Sequence, residues 1–376
     1  MRVLHVLKEL RASGAEVMLA TAGGLWGRHD VTCDVLSTGP VPGSFRSVLR
    51  EAGYRIHHVP FTGDVAFLRA YVHLIRSEGY DVVHVHAEQA SFYLCLAARL
   101  AGAGVVRTTH NSFPYSGALQ RRRTWQRRVT RAVGTVYVAI GETVAENEWQ
   151  RLRNPTTRVD NWVDIETFAP PTQDERRSAR EALEVGDGDV VVVTVGHCSP
   201  VKNHTSLLES LARIDDLPWV WLHVGEEQEG RPEHDLARER HVQQRCRFLG
   251  RTEPLQALHA ADVYAMPSLY EGLPISVLEA LATGLPTVLT DVPGNRDLRG
   301  VAERMVWSSP DADGLEVALR EALTASIEPV SDDARHRQHE AVAARYSPAV
   351  GVASYVNVYR SRVAGRGDRE RRVDDP

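Results

Sequence analysis

The chain has 376 residues, 43% of them apolar and 25% charged, with a formal net charge of −5. That length suits two domains or one large one, the mildly acidic balance argues against a dedicated nucleic-acid binder, and no apolar run nears the roughly 18 residues of a membrane span. Of 44 basic residues only Lys8 and Lys202 are lysines and the other 42 are arginines, which a GC-rich coding bias explains as a whole while singling out the two lysines.

The chain opens on an apolar strand at residues 3–7, with no signal-peptide layout. Further β-branched runs follow at 31–36, 56–59, 82–86, 105–110 and 136–140, with amphipathic helical stretches such as 15–26 and 91–101 between them. A second series runs through 190–195, 219–224, 247–249, 263–266 and 287–290. Continuous apolar runs, not strict alternation, are the pattern of buried parallel strands, and two successive βα arrays predict two doubly wound sheets. The break falls at 169–189, where Pro170-Pro171 and a charged helix precede a new strand. Residues 348–362 read as a terminal helix with Val352, Tyr355, Val356 and Tyr359 on one face, and 365–376, rich in Arg, Asp and Gly, as a disordered tail. Cys33, Cys95, Cys198 and Cys246 lie far apart with no C-x-x-C, so a reduced, cytoplasmic protein is expected.

Doubly wound sheets bind ligands at the carboxyl ends of their strands, so the loops after each run carry the chemistry. After the first strand, Ser13-Gly14-Ala15-Glu16 opens a helix; glycine would admit a diphosphate to the helix amino terminus, or the segment is a plain tight turn. His110 ends the run at 105–110, placed to bind substrate or held as a structural histidine. Arg121, Arg122, Arg123, Arg127, Arg128 and Arg131 crowd one helix with Trp125, either an anionic-membrane contact or a solvated arginine face. Gly196-His197-Cys198-Ser199-Pro200-Val201-Lys202-Asn203 leads into a helix, where a lysine can hold a phosphate as a point charge.

The most informative segment is Glu271-Gly272-Leu273-Pro274-Ile275-Ser276-Val277-Leu278-Glu279-Ala280-Leu281. Pro274 fits a first helical turn and Gly284 the position just past the helix end, leaving free N–H groups at Ile275 and Ser276. Glu271 and Glu279, up to about 12 Å apart if fully helical, are too far apart for an acid/base dyad but suit two ends of one long polyhydroxylated ligand. Asp291-Val292-Pro293-Gly294-Asn295 would complete the rim. Asp311-Ala312-Asp313 follows Pro310 at a helix start and reads as a cap, not a metal motif.

The E-x7-E pattern of Glu271 and Glu279 within E-G-L-P-I-S-V-L-E-A-L resembles the signature of glycosyltransferase family 4. The 196–203 loop resembles that family's phosphate-binding loop, 13–16 its amino-terminal glycine loop, and the segment TVYVAIGETVAE at 135–146 the last strand–helix unit of its acceptor domain. The resemblance covers residues 1–362. It implies an α/β GT-B fold: two Rossmann-like doubly wound domains facing a central cleft, with an acceptor domain at 1–168, a donor domain at 169–346, a helix at 347–364 crossing back to the first, and a tail at 365–376. It further implies retaining transfer of a hexosyl group from a nucleoside-diphosphate sugar, UDP- or GDP-linked, without metal or covalent cofactor. By the same resemblance Lys202 contacts the donor diphosphate, Glu271 the sugar hydroxyls, Glu279 the ribose and His110 the sugar. Gly14 sits by the phosphates, and His197, Leu273, Ile275 and Ser276 complete the donor site.

Two departures stand out. The family's phosphate loop commonly has arginine where this chain has His197, and its usual Asn-Gly turn is Asn161-Trp162, so Trp162 is expected to alter the hinge or cover the cleft. The acceptor stays open between a lipid-linked or polysaccharide glycan and a soluble natural product such as an aminoglycoside, the absence of a membrane segment favouring the latter. A sugar-nucleotide epimerase or a non-catalytic sugar-nucleotide binder would use the same donor loops.

Overall fold

The computed structural model describes residues 1–112, 115–327 and 330–371, with side chains described through 363. The chain divides into two compact units, one formed by Met1–Trp162 with Pro348–Pro376 and the other by Val163–Ser347.

In the first unit the strands are β1 (Arg2–Leu7), β2 (Thr32–Ser37), β3 (Arg55–His58), β4 (Val82–Val85), β5 (Gly104–Thr109), β6 (Thr135–Ala139) and β7 (Thr157–Arg158), all parallel, in the order β3-β2-β1-β4-β5-β6-β7. In the second they are β8 (Val190–Val195), β9 (Trp219–Val224), β10 (Cys246–Phe248), β11 (Val263–Met266), β12 (Thr287–Thr290) and β13 (Met305–Ser308), again parallel, in the order β10-β9-β8-β11-β12-β13. Both sheets are doubly wound and Rossmann-like, as the apolar runs predict. The expected strands are all present. The additions, β7 and β13, are edge strands that need no apolar run: β7 is two exposed residues, and β13 is half-buried over most of its length.

Each sheet is covered by helices on its faces. Leu4, Val6, Val83, Val85 and Val105 pack with Phe67, Tyr71, Ile75, Leu94 and Cys95 in the first unit. Val192, Trp219, Trp221, Val263 and Val288 pack with Leu207, Leu208, Leu211, Leu315 and Leu319 in the second. The carboxyl of Asp311 caps its helix by accepting from Gly314 N–H at 2.9 Å, the role read from the sequence. No helix among the described residues is long and apolar enough to cross a membrane.

The arginine-rich helix Gly117–Ala132 is not a uniform charged face. Arg127 is buried and forms a two-point ion pair with Glu148, at 3.0 and 3.2 Å, while Asn154 donates to the same carboxylate at 2.6 Å. Arg123 turns to Glu88 at 3.6 Å. Arg121, Arg122, Arg128 and Arg131 remain exposed beside Trp125.

The last helix, Pro348–Arg371, docks on the first unit and runs past Gly365, since no proline or capping residue stops it where composition predicts a disordered tail; residues 372–376 lie outside the described residues. Tyr355 OH pairs with Thr108 Oγ1 at 2.9 Å and Tyr359 OH with His84 Nδ1 at 2.7 Å. Trp162 is 2% exposed and seated within the first unit, its Nε1 donating to Met18 O and Thr21 Oγ1. Its ring leaves Gly351 no room, since a Cβ there would lie 2.0 Å from Trp162 Cε3. Gly351→Ala should therefore cost about 1–3 kcal/mol through overpacking, read as a lower unfolding midpoint, while Val350→Ala on the exposed side of the same helix changes it little.

Candidate functional site

In the second unit the buried valines of β8 end at Gly196, whose φ of +148° lies in a region that glycine alone enters freely. A Cβ at Gly196 would also press on Lys202 Cε at 3.3 Å, so the glycine makes room for the lysine. The loop then turns over Ser199, whose carbonyl accepts from Lys202 N–H at 3.0 Å and Asn203 N–H at 3.3 Å. Asn203, with φ +56°, enters the next helix in the left-handed conformation that asparagine tolerates. Its amide donates to the carbonyls of Pro267 (3.0 Å) and Pro310 (2.7 Å), pinning the loop to those after β11 and β13. The sequence places Asn203 in the loop without a role, although asparagine at a helix boundary is itself the signal.

Lys202 Nζ donates to Glu271 Oε1 at 2.8 Å, with both side chains mostly shielded from solvent. The two residues the sequence assigned to diphosphate and sugar thus stand side by side. Glu271 is held by its own backbone, its N–H donating to Pro293 O at 3.1 Å. Gly294 packs so closely beneath that a Cβ would fall 2.5 Å from Glu271 O and 2.4 Å from Gly272 O. The rim expected at 291–295 is therefore the support of the glutamate loop.

The helix Ile275–Ala282 begins one residue later than expected, Pro274 being its N-cap residue with no side-chain cap. The first-turn N–H groups of Ile275 and Ser276 have no acceptor inside the helix and carry its positive end. Ser276 Oγ accepts from Tyr264 OH at 2.9 Å, and Leu273 is buried beneath the turn. Gly284, at φ +76°, closes the other end as expected. His197 is exposed at the loop's outer side.

Glu279 is 8% exposed and makes no side-chain hydrogen bond among the described residues. Burial, and secondarily the charge of Glu253, raises its pKa to about 7. Such a carboxyl is poised to accept hydroxyl hydrogen bonds as it ionises.

In the first unit Gly14 is the exposed first residue of the helix Gly14–Ala22, and Ser13 Oγ donates to the buried carboxylate of Glu16 in the first turn. His110 follows β5 directly. Its Nε2 lies 3.1 Å from His86 Nδ1, and His86 Nε2 lies 3.0 Å from His5 Nδ1. Desolvation, and then the charge of Arg107, lowers the His110 pKa to about 4, so it is neutral near pH 7. His5 and His86 were not singled out from sequence, although the i, i+2 pair His84 and His86 marks one strand face.

Among the described residues, two groups of side chains lie within reach of a common metal ion: His5, His84 and His86, and Cys198, His204 and His223. In the first, both His84 nitrogens are already bonded, to Tyr359 OH and Thr108 Oγ1, at 2.7 Å each. In the second, the His223 nitrogen 3.5 Å from Cys198 Sγ is also 3.0 Å from Gly196 O.

The second unit's parallel sheet thus carries a lysine loop, an uncapped helix amino terminus and two glutamates, Glu271 and Glu279, in the loops and helix that follow its strands. Residues 1–167 match the model described as Glycosyltransferase Family 4 and residues 175–343 that of Glycosyl transferases group 1. The glycosyltransferase-type protein EpsF of Bacillus subtilis is 30% identical over 306 residues, 77% of this chain and 79% of that protein. The phosphatidyl-myo-inositol mannosyltransferase of Mycolicibacterium smegmatis is 29% identical over 337 residues, covering 82% and 80%. A UDP-Gal:alpha-D-GlcNAc-diphosphoundecaprenol alpha-1,3-galactosyltransferase of Escherichia coli is 27% identical over 248 residues, covering 62% and 64%. Among solved structures, a glycosyltransferase of Rickettsia africae superposes with a TM-score of 0.82 at 15% identity, covering 96% and 98%. HepE of Anabaena, in complex with UDP and glucose, gives 0.78 at 17%, covering 96% and 99%. The chain belongs to glycosyltransferase family 4.

The raised Glu279 pKa has a stability consequence. Between the ordinary glutamate value of 4.5 and about 7 the folded protein keeps a proton that the unfolded chain has lost, so stability falls as pH rises through that window. Above it the buried carboxylate costs up to about 3 kcal/mol. Glu279→Gln should therefore melt several degrees above the parent at pH 8 without ligand and close to it at pH 4.5.

Proposed function

We propose that the protein is a retaining, metal-independent glycosyltransferase that moves a hexosyl group from a UDP- or GDP-sugar to an acceptor hydroxyl. The observation that carries this is the Lys202–Glu271 pair at 2.8 Å beside the uncapped helix at Ile275. When the bond between the anomeric carbon and the diphosphate oxygen breaks, the departing diphosphate gathers negative charge. Lys202 and the first-turn amides of Ile275 and Ser276 are preorganised positive groups that stabilise it. Released from Lys202, Glu271 takes donor-sugar hydroxyls, and Glu279 takes the ribose hydroxyls.

The acceptor oxygen attacks the same face that the diphosphate leaves, and its proton passes to the leaving phosphate oxygen, which retains the anomeric configuration and needs no glutamate nucleophile. His110 is assigned to the transferred sugar and Gly14 to the phosphates; Leu273 and His197 flank the donor loops.

The acceptor reading moves away from an aminoglycoside. The names of the E. coli and M. smegmatis relatives specify acceptors carrying a diphosphate and a phosphatidyl group, and this supports a phosphate-bearing, lipid-linked or inositol-type acceptor here. Arg121, Arg122, Arg128 and Arg131 with Trp125 form an exposed face suited to such an anionic partner. Four free, buried cysteines suit a cytoplasmic setting.

A thermal-shift panel of UDP-, GDP-, dTDP- and ADP-sugars should show stabilisation by one donor, by mass action, and Lys202→Ala and Glu279→Ala should abolish it. An unchanged shift in both variants would refute the site. Activity should persist in EDTA, and proton NMR of the product should show the donor's anomeric configuration. Donor converted to its epimer without transfer would make the protein an epimerase instead.

A further inference from the structure

We propose that His86 is a positioning residue which, with His5 behind it, fixes the tautomer of His110 so that His110 Nδ1 carries a proton directed away from the chain of imidazoles. This deepens the assignment of His110 to the transferred sugar and rests on it.

His5 lies on β1, His86 directly follows β4 and His110 directly follows β5, three neighbours in the sheet. Their rings bridge the strands at 3.0 Å (His5 Nδ1 to His86 Nε2) and 3.1 Å (His86 Nδ1 to His110 Nε2). A hydrogen bond between two imidazoles needs one protonated and one bare nitrogen. Desolvation by burial lowers the pKa of His5 to about 3, of His110 to about 4 and of His86 well below the usual histidine value, so each ring carries one proton near neutrality.

One proton per ring leaves two arrangements of the chain. With protons directed inward, His110 donates to His86, His86 to His5, and the N–H left over is His5 Nε2–H. With protons directed outward, His5 donates to His86, His86 to His110, and the N–H left over is His110 Nδ1–H. The inner end is blind: His5 Nε2 is buried and has no hydrogen-bond partner among the described residues. The inward arrangement would therefore bury an N–H with no acceptor, which folded proteins avoid more strictly than an unused lone pair. His110 Nδ1 has no protein partner among the described residues, so the outward arrangement leaves the spare donor where a substrate can use it.

The surrounding groups do not break the chain. His84 packs against His86 with ring centroids 3.9 Å apart, yet both its nitrogens are bonded elsewhere. The charges nearest the chain are Asp34 toward His5, and Arg107 and Glu88 toward His110, the latter two ion-paired with each other.

The chemical consequence is definite. His110 offers an N–H to a sugar or phosphate oxygen and does not take a proton from it, so it acts as a hydrogen-bond donor and not as a general base. This fits a reaction in which the acceptor's proton goes to the leaving phosphate.

The test is nitrogen-15 NMR of the full-length protein labelled at histidine, with the His110 signals assigned from their loss in His110→Gln. The expected result is a protonated Nδ1 and a bare Nε2 for His110, and a switch toward Nε2–H in His86→Phe. In turnover, His86→Phe should lower kcat about tenfold, the worth of one misplaced hydrogen bond, with the donor KM nearly unchanged. His86→Asn, whose side-chain amide can still donate at the Nδ1 position, should restore most of the rate. A protonated Nε2 on His110 in the parent protein overturns the proposal, as does an unchanged tautomer in His86→Phe. Full transfer activity in His110→Ala would instead overturn the assignment of His110 to the sugar, while the spectra still decide the tautomer.

Discussion

The adjacency of β8 and β11 is the constraint from which the placement of the Lys202 and Glu271 loops follows. In a doubly wound sheet the chain reverses its direction of travel at the centre, so the loops after the two central strands diverge and leave space between them. Here those loops carry Lys202 and Glu271, and the strand pairing brings their charges to 2.8 Å. The pairing of β1 with β4 works likewise in the first unit, where it sets His5 beside His84 and within 3.0 Å of His86, just past the end of β4. One topological rule, applied twice, therefore builds a charged site in one unit and a neutral imidazole chain in the other.

The two solutions differ in how they manage desolvation. Lys202 and Glu271 face each other as an ion pair at 2.8 Å, each the other's counter-charge. Glu279 has no counter-charge and is instead pushed toward its neutral form. His5, His86 and His110 in the first unit are pushed toward their neutral forms by burial and are held by directional hydrogen bonds. A polar interior of this kind is stable only when nearly every member is satisfied, and Tyr355 and Tyr359 of the terminal helix supply partners that the sheet alone lacks.

Much of this was legible in the residues. Valine-rich runs announce central strands because burial on both faces leaves no alternation to obscure them. Lys202, Glu271 and Glu279 stand out because their spacing around a helix start has few structural explanations. What stayed hidden depends on partners far away in sequence. Six arginines on one helix look alike until Arg127 is found buried against Glu148, a carboxylate that Asn154 also holds. Trp162 reads as a departure at the hinge until Gly351, almost two hundred residues on, is found against its ring. His86 is one histidine among 16 until two neighbouring strands place rings at both of its nitrogens. The edge strands β7 and β13 escaped for the opposite reason, being too short or too exposed to need a pattern.

The seating of Gly351 against Trp162 also has a temporal side. A ribosome releases the chain from its amino terminus, so β1 to β7 emerge long before the helix that supplies Tyr355 and Tyr359. Until then Trp162, His84 and Thr108 lack the neighbours that bury them, whereas all of Val163–Ser347 is already available to fold. The order of completion is thus the reverse of the order of synthesis, and until the last helix docks the first unit exposes surface that invites aggregation or chaperone capture.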